Sequence, residues 1–386
     1  MPSLVLLTPT ELTRDPRARR AVAAAVEGGW QVAGICVAAG LPPVALDGVT
    51  VTRVAGERLD KALRRVGVGG GRSDPPPLRE LRGIYRLVRL VRTTRALSAA
   101  GRRIEKPDVI HANDFDTLPA AWLLSRHHSA RLVYDAHELY AFQEAAPPRL
   151  QRLVALALER WLARRADAVL TVSEPVAVEL QALLRLPLTP LVVLNCPSTS
   201  EHAAPSEVRH PLRVVYQGAI GHGRSVDDLL DAAAASEGVT LGLRIAGVDP
   251  STVQMEVDRR KLADRVSVLE PVDPALLIEA LAEFDVGVVV TRPLTRNDEL
   301  AAPNKFFEYL MAGLAVAVPR RSGVSTIVEH EGLGIAFEPG ALGAALSALA
   351  AQPDEVAQMK TRARRVAVER FNAEAQRPVL TAAWAA

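Results

Sequence analysis

Cysteine is almost absent from this 386-residue chain: Cys36 and Cys196 are the only two, each inside an apolar run. Two isolated thiols give neither a disulfide framework nor a metal-binding cluster, so both read as core residues in reducing surroundings, and no metal site is expected. Long apolar runs are missing as well; none approaches the ~20 residues needed to span a bilayer. The start, Met1-Pro2-Ser3-Leu4-Val5-Leu6-Leu7, has no basic segment and no small-residue cleavage pattern. It reads as a first strand rather than a signal peptide, and the cytoplasm is the expected location. Net charge is nearly absent too: Lys plus Arg number 46 against 44 Asp plus Glu, giving +2. That balance hides a block. Residues 79–106 hold eight Arg, one Lys and two Glu, a local charge of +7, which leaves −5 for the rest of the chain. Such a block speaks to partners where the global balance does not.

What remains is enough for two ordinary domains, each with its own core, since hydrophobic residues make up 49% and charged residues 23% of the chain. Apolar runs of strand length alternate with helical stretches from end to end. In the first half strands read at 4–9, 30–37, 49–54, 109–113, 131–137, 168–173 and 191–196; in the second they read at 212–217, 241–246, 266–269, 286–291, 314–318 and 335–338. Runs separated by helices in this way imply parallel sheets covered on both faces. The polar, proline-bounded stretch 197–206 separates the halves. The expected fold class is α/β: two facing Rossmann-like doubly wound domains with an interdomain cleft, because ligands of such sheets bind beyond the carboxyl ends of the strands. Residues 1–197 form the first domain, 198–206 the linker, 207–370 the second domain and 371–386 a terminal helix. A glycine- and proline-rich stretch at 67–77 reads as a mobile loop.

Two stretches of the second half carry chemistry. Pro303-Asn304-Lys305-Phe306-Phe307-Glu308-Tyr309 opens a short helix that Gly313 closes before a buried strand. A helix start after a strand offers free amides and a positive dipole end to an anion, and Lys305 adds a full charge there. Glu308, one turn on, can accept hydrogen bonds from sugar hydroxyls, so Asn304, Lys305 and Glu308 together suit a nucleotide sugar. In Tyr216-Gln217-Gly218-Ala219-Ile220-Gly221-His222-Gly223-Arg224-Ser225 a strand ends in glycines and Ser225 can cap the next helix. Small residues such as Gly218 let backbone amides approach a diphosphate, which Arg224 can grip with its forked, permanent charge. The plain alternative is a solvated turn with an exposed arginine.

The segment around Lys305 and Glu308 resembles the donor-binding motif of retaining glycosyltransferases of the two-domain GT-B type, in particular family four. The resemblance extends over nearly the whole chain. It implies transfer of a sugar from a nucleoside-diphosphate sugar to an acceptor hydroxyl, with the anomeric configuration retained. It also implies Glu308 on the ribose, Arg224 and Lys305 on the leaving diphosphate, no metal ion and no cofactor, and a terminal helix that crosses back to the first domain. The family carries a second glutamate eight residues earlier; here that position is Leu300, which cannot accept a hydrogen bond. In the first domain, the strand ends His111-Ala112-Asn113-Asp114 and Asp135-Ala136-His137-Glu138 face the donor sugar by the same resemblance. Asn113 would hydrogen-bond a sugar hydroxyl with Asp114 beside it, although a turn with Asx caps uses the same residues. His137, flanked by Asp135 and Glu138, would have a raised pKa and a fixed tautomer, fit to orient an acceptor hydroxyl or share its proton. An N-cap for the next helix is the alternative. Asp135 is expected to bind substrate and Glu138 to serve beside His137, whereas His111 points into the fold.

The implied partners are a nucleotide sugar and an acceptor that is a glycan, a lipid-linked molecule or a small molecule. In the basic block Arg79, Arg82, Arg86 and Arg89 fall on one side of a helical wheel, and Leu81, Ile84, Val88 and Val91 on the other. That reads as a surface helix whose apolar side is spent on the core. Weak contact of Arg79–Arg95 with an anionic membrane face is the second reading. Nucleic acid is disfavoured, because no aromatics interleave the stripe. Arg14-Asp15-Pro16-Arg17 reads as an exposed helix start. Two rival functions share the architecture: a nucleotide-sugar epimerase, and a non-catalytic partner subunit, which Leu300 favours.

Overall fold

The structure, a computed structural model, describes residues 1–38, 46, 48–55, 75–144, 146–201, 205–220, 225–290 and 294–385. Arg224 and the first part of the expected loop, 67–74, lie outside the described residues. The chain divides into two compact units: Met1–Val193 with Thr295–Asn297 and Arg377–Ala386, and Leu194–Leu294 with Asp298–Gln376. The division thus falls after Val193 rather than at 197, and the residues from Arg377, not from 371, count with the first unit.

The first unit contains β1 (Ser3–Thr8), α1 (Pro16–Glu27), β2 (Gln31–Val37), β3 (Val49–Val54), α2 (Pro76–Gly101), β4 (Val109–Asn113), α3 (Leu118–His128), β5 (Arg131–Ala136), α4 (Arg149–Ala163), β6 (Ala168–Thr171), α5 (Glu174–Leu184) and β7 (Leu191–Val192). Its seven strands form one sheet in the order β3-β2-β1-β4-β5-β6-β7. Every pairing is parallel. The central β4 is buried at every position, as a strand covered on both faces must be. Strand order reverses between β1 and β4, so their carboxyl ends frame the crevice where doubly wound sheets bind ligands. The terminal Trp384 closes this core: it is 2% exposed, stands edge-on to Trp30 with ring centres 5.7 Å apart, and donates from Nε1 to His111 Nδ1 at 3.0 Å.

The second unit holds β8 (Leu212–Ala219), α6 (Val226–Ala235), β9 (Val239–Ala246), α7 (Pro250–Arg259), β10 (Val266–Val268), α8 (Leu277–Leu281) and β11 (Val286–Val288). After α9 (Arg296–Leu300), whose first residues count with the other unit, come α10 (Asn304–Met311), β12 (Ala315–Pro319), α11 (Ser325–Glu331), β13 (Gly334–Phe337), α12 (Leu342–Ala350), α13 (Pro353–Glu369) and α14 (Ala373–Ala385), which starts here and ends in the first unit. Six parallel strands run β10-β9-β8-β11-β12-β13. The reversal of order lies between β8 and β11. Both sheets were legible as apolar runs, with ends shifted by one to a few residues.

Helix α2 reverses the expected facing. Arg82, Gly83, Leu90, Leu97 and Gly101 are its buried side, while Leu81, Ile84, Val88 and Val91 are exposed. Contact runs through glycines: Gly83 lies against Pro148 and Gln151 of the α4 start, and Gly101 against Leu124 of α3. Arg82 and Arg86 then reach inward to Glu144, with nitrogen–oxygen distances of 3.3 and 2.5 Å. Long arginine stems cover apolar surface while their heads find a carboxylate, which is why an arginine stripe can face a protein interior. Arg82 and Arg86 are thus engaged by Glu144, while Arg92 and Arg95 of the same helix are exposed together with its apolar residues.

Candidate active site

In the second unit the elements at the β8–β11 reversal converge on Gln217. Tyr309, on the inner side of α10, accepts a hydrogen bond from Gln217 N at 2.9 Å and donates to Val288 O at 3.3 Å. Its hydroxyl thus ties the carboxyl ends of both central strands to the helix. The side chain of Gln217 donates from Nε2 to Glu308 Oε2 at 3.4 Å, while its own Oε1 is buried with no hydrogen-bond partner among the described residues. Gly218 follows at φ 128°, in the region that favours glycine. Lys305 Nζ lies 2.8 Å from where a Cβ on Gly218 would stand, and 4.1 Å from the centre of the Tyr216 ring, a cation–π contact. Asn304 opens the helix half-buried. The structure therefore brings Gly218, Asn304, Lys305 and Glu308 to one strand end.

Gly287 of β11 makes this seat: a Cβ there would come within 2.3 Å of the Tyr309 ring. Replacing Gly287 by Ala is expected to destabilise the second unit by about 1–3 kcal/mol, the usual cost of overpacking. It should also loosen Gln217 through the displaced hydroxyl. Urea unfolding with an unchanged midpoint for this unit would show that the ring has room to spare.

In the first unit four charged groups form a chain, buried at its Arg17–Asp135 end and half-buried at His137 and Asp114. Arg17, in the first turn of α1, donates from Nε and Nη2 to the two Asp135 oxygens at 2.7 and 2.6 Å, and from Nη1 to Val193 O at 2.7 Å. Asp135 Oδ2 lies 3.5 Å from His137 Nε2, and His137 Nδ1 lies 3.1 Å from Asp114 Oδ2. Asp114 also accepts from His137 N at 3.2 Å and holds a left-handed φ of 62°. His111 approaches Asp135 from the other side, Nε2 at 3.6 Å from Oδ2. Because Trp384 Nε1 can only donate, His111 Nδ1 is the acceptor, and any single ring proton sits on Nε2.

Burial by itself would raise the Asp135 pKa; the Arg17 guanidinium, then His137, more than reverse this and hold it well below the carboxylate range. For His137 burial acts downward, but Asp114 and Asp135 outweigh it and lift the imidazole to about 10. His137 is thus an imidazolium at neutral pH, a fixed donor rather than a base.

Several expectations change here. Arg17 is buried, not an exposed helix start; only its backbone fits that reading, since Asp15 caps α1 by accepting from Arg17 N and Ala18 N. Glu138 is exposed, and the second carboxylate on His137 is Asp114. Asp135, expected to bind substrate, is 1% exposed with both oxygens on Arg17, so it acts through His137. Asn113 is fully buried, with Nδ2 donating to Leu7 O at 3.1 Å and Oδ1 without a hydrogen-bond partner among the described residues. His111 does point into the fold. Sequence reasoning missed Arg17, Gln217 and Tyr309. A glycine inside an apolar strand, Gly287, was the available signal for a close approach by a neighbouring ring.

Residues 28–197 match Glycosyltransferase Family 4, and residues 211–352 match Glycosyl transferases group 1. The chain is a family-four-like glycosyltransferase of the GT-B type. No curated protein matches it in sequence. Among solved structures, this glycosyltransferase is similar to sucrose-phosphate synthase from Thermosynechococcus elongatus, with a TM-score of 0.73 at 17% identity over 98% of this chain and 97% of that one. Anabaena Alr3699/HepE in complex with UDP and glucose gives 0.63 at 15% identity, with 99% of each chain covered. The trehalose-6-phosphate protein from E. coli bound with UDP-2-fluoro glucose gives 0.68 at 11%, covering 100% of this chain and 99% of that one. At these identities the likeness is one of fold: two Rossmann-like parallel-sheet domains.

Proposed function

We propose that this glycosyltransferase moves a hexose from a nucleoside-diphosphate sugar to an acceptor hydroxyl with retention of the anomeric configuration. It uses cationic side chains in place of a metal ion, needs no cofactor and works in the cytoplasm. The observation that carries the reading is the β8 end, where Gln217, Gly218, Lys305 and Glu308 meet. The relatives solved with UDP and glucose, or with UDP-2-fluoro glucose, support a nucleotide-sugar donor.

In this reading Glu308 accepts from the ribose hydroxyls. The bond between the anomeric carbon and the diphosphate oxygen breaks, its electron pair goes to that oxygen, and Lys305 with Arg224 stabilises the charge that develops. The acceptor oxygen bonds to the anomeric carbon on the same face, and its proton passes to the departing diphosphate. His137 does not take that proton, being already charged with a pKa of about 10. Its two N–H groups face Asp114 and Asp135, so it fixes Asp114, whose half-exposed carboxylate can accept from a sugar or acceptor hydroxyl. The acceptor class remains a glycan, a lipid-linked molecule or a small molecule.

The test is thermal unfolding with UDP, GDP and TDP, for wild type and Glu308→Gln. A ligand of the native state raises the midpoint by mass action, by about 2.7 kcal/mol at a hundred times its Kd. One nucleotide should shift the wild type, and its affinity should fall roughly tenfold in Glu308→Gln, the worth of a charge-assisted hydrogen bond. No shift from any of the three would overturn the donor site and favour a non-catalytic subunit.

A further inference from the structure

The apolar stripe of α2 faces outward. Leu81, Ile84, Val88 and Val91 are 60%, 46%, 44% and 50% exposed, one face of a 26-residue helix. Helix α4 repeats the arrangement, with Leu150, Leu153, Val154 and Trp161 exposed by 48%, 64%, 39% and 42%. The two helices meet near their starts, where Gly83 seats on Pro148 and Glu80 accepts from Arg149 N and Leu150 N. Leu81 and Leu150 therefore begin adjoining stripes.

The exposed charge on these two helices is mainly positive. Arg92, Arg95, Arg149 and Arg152 are exposed on the same two helices. Their only carboxylates are Glu80, which holds the α4 amides, and Glu159, buried against the Tyr134 hydroxyl at 2.7 Å. An apolar face alone does not name its occupant; four exposed arginines on these two helices against one accessible carboxylate, Glu80, do. A second copy of this chain would set arginine against arginine. A bilayer with anionic headgroups offers acyl chains to the stripes and phosphates to the rim.

We propose that this face of the first unit docks on an anionic lipid surface, its apolar side chains entering the boundary between headgroups and acyl chains while Arg149 and Arg152 engage lipid phosphates. The docking helix is also the one whose inner arginines reach Glu144, just beyond β5. A surface-bound enzyme of this kind would meet a lipid-linked acceptor in the same plane. That last consequence rests on the glycosyl-transfer reading; the docking does not.

Co-sedimentation separates the two. The full chain is mixed with vesicles of phosphatidylcholine, or of phosphatidylcholine and phosphatidylglycerol in equal parts, at low and high salt. Wild type should pellet with the anionic vesicles only, and less at high salt. Arg149→Gln with Arg152→Gln should weaken binding roughly fivefold per arginine. The stripe variant Leu81→Gln, Ile84→Gln, Val88→Gln, Val91→Gln should weaken it roughly tenfold or more. Tryptophan fluorescence confirms that each variant is folded. Absence of wild-type binding to anionic vesicles, or equal binding by the stripe variant, would overturn the proposal. So would a dimer in solution that the stripe variant makes monomeric, because a second copy would then cover the face. A failed nucleotide shift with intact vesicle binding would strike the donor site alone.

Discussion

Replacing Arg17 by methionine should destabilise the first unit by about 3–5 kcal/mol, because it strands a buried charge. Asp135 is 1% exposed, and its two oxygens take the Arg17 fork at 2.7 and 2.6 Å. The same guanidinium holds Val193 O beside the end of β6, so its loss also frees a carbonyl. Trp30, Trp122, Trp161 and Trp384, the chain's four tryptophans, all lie in the first unit, so their fluorescence follows that unit by itself. A fall in Tm of roughly 6–20 °C is expected for a unit of this size. The pH dependence has a definite sign. The Asp135 pKa is depressed, so its contribution is present above the ordinary value of 3.8 and is lost as pH falls through the lowered pKa. The gap between wild type and variant should therefore shrink on acidification below 3.8. His137 works at the other end: raised from 6.5 to about 10, it contributes fully below 6.5 and loses its contribution as pH rises through 10. Adding Asp135→Asn to Arg17→Met should recover part of the loss, since no carboxylate is then stranded. If Arg17→Met unfolds with the wild-type midpoint, the buried Arg17–Asp135 pair is not what holds these strand ends together.

Arg17 shows where a sequence stops being legible. Residues Arg14 to Arg17 look like a solvated helix start, and the cap at Asp15 is local and readable. The partner of the Arg17 side chain, however, lies 118 positions away, and only the parallel order β1-β4-β5 brings the two together. Similarly, the second carboxylate on His137 could be guessed from its immediate neighbour Glu138, yet β4 and β5 pair in register and supply Asp114 from across the sheet. The strands themselves were plain because both faces of these sheets are covered, so buried runs are continuous. The facing of α2 was not, because two stripes compete on it. Apolar residues at 81, 84, 88 and 91 fit the usual core pattern, whereas the helix packs through Gly83, Leu90, Leu97 and Gly101. Close approach through glycines to the neighbouring helices here outweighs the longer apolar stripe. The helix around Glu308 was readable for a different reason: its residues, strand and stop are contiguous, so no long-range pairing had to be guessed.

Lys305→Met should weaken binding of the nucleoside diphosphate by about 10–150-fold, the range for losing one charged contact, and leave binding of the bare nucleoside unchanged. The division follows from where the groups stand. Lys305 Nζ is poised 4.1 Å over the Tyr216 ring and occupies the space that a Cβ on Gly218 would take, at the end of β8. Glu308 sits one turn along the same helix and meets Gln217 instead. If Lys305 serves the diphosphate and Glu308 the ribose, Glu308→Gln must weaken nucleoside and diphosphate by the same factor, whereas Lys305→Met separates them. Gly218→Ala gives an independent check. Its methyl would displace Nζ and strain a φ of 128°, so it should weaken the diphosphate in the same direction as Lys305→Met without touching the lysine's charge. Calorimetric titration of each variant with nucleoside and nucleoside diphosphate reads all of these together. Equal losses for both ligands in Lys305→Met would mean that the lysine props the Tyr216 ring and shapes the pocket as a whole. Loss confined to the diphosphate would leave a cation held ready for the leaving group, in a site whose neighbouring glycine exists to make room for it.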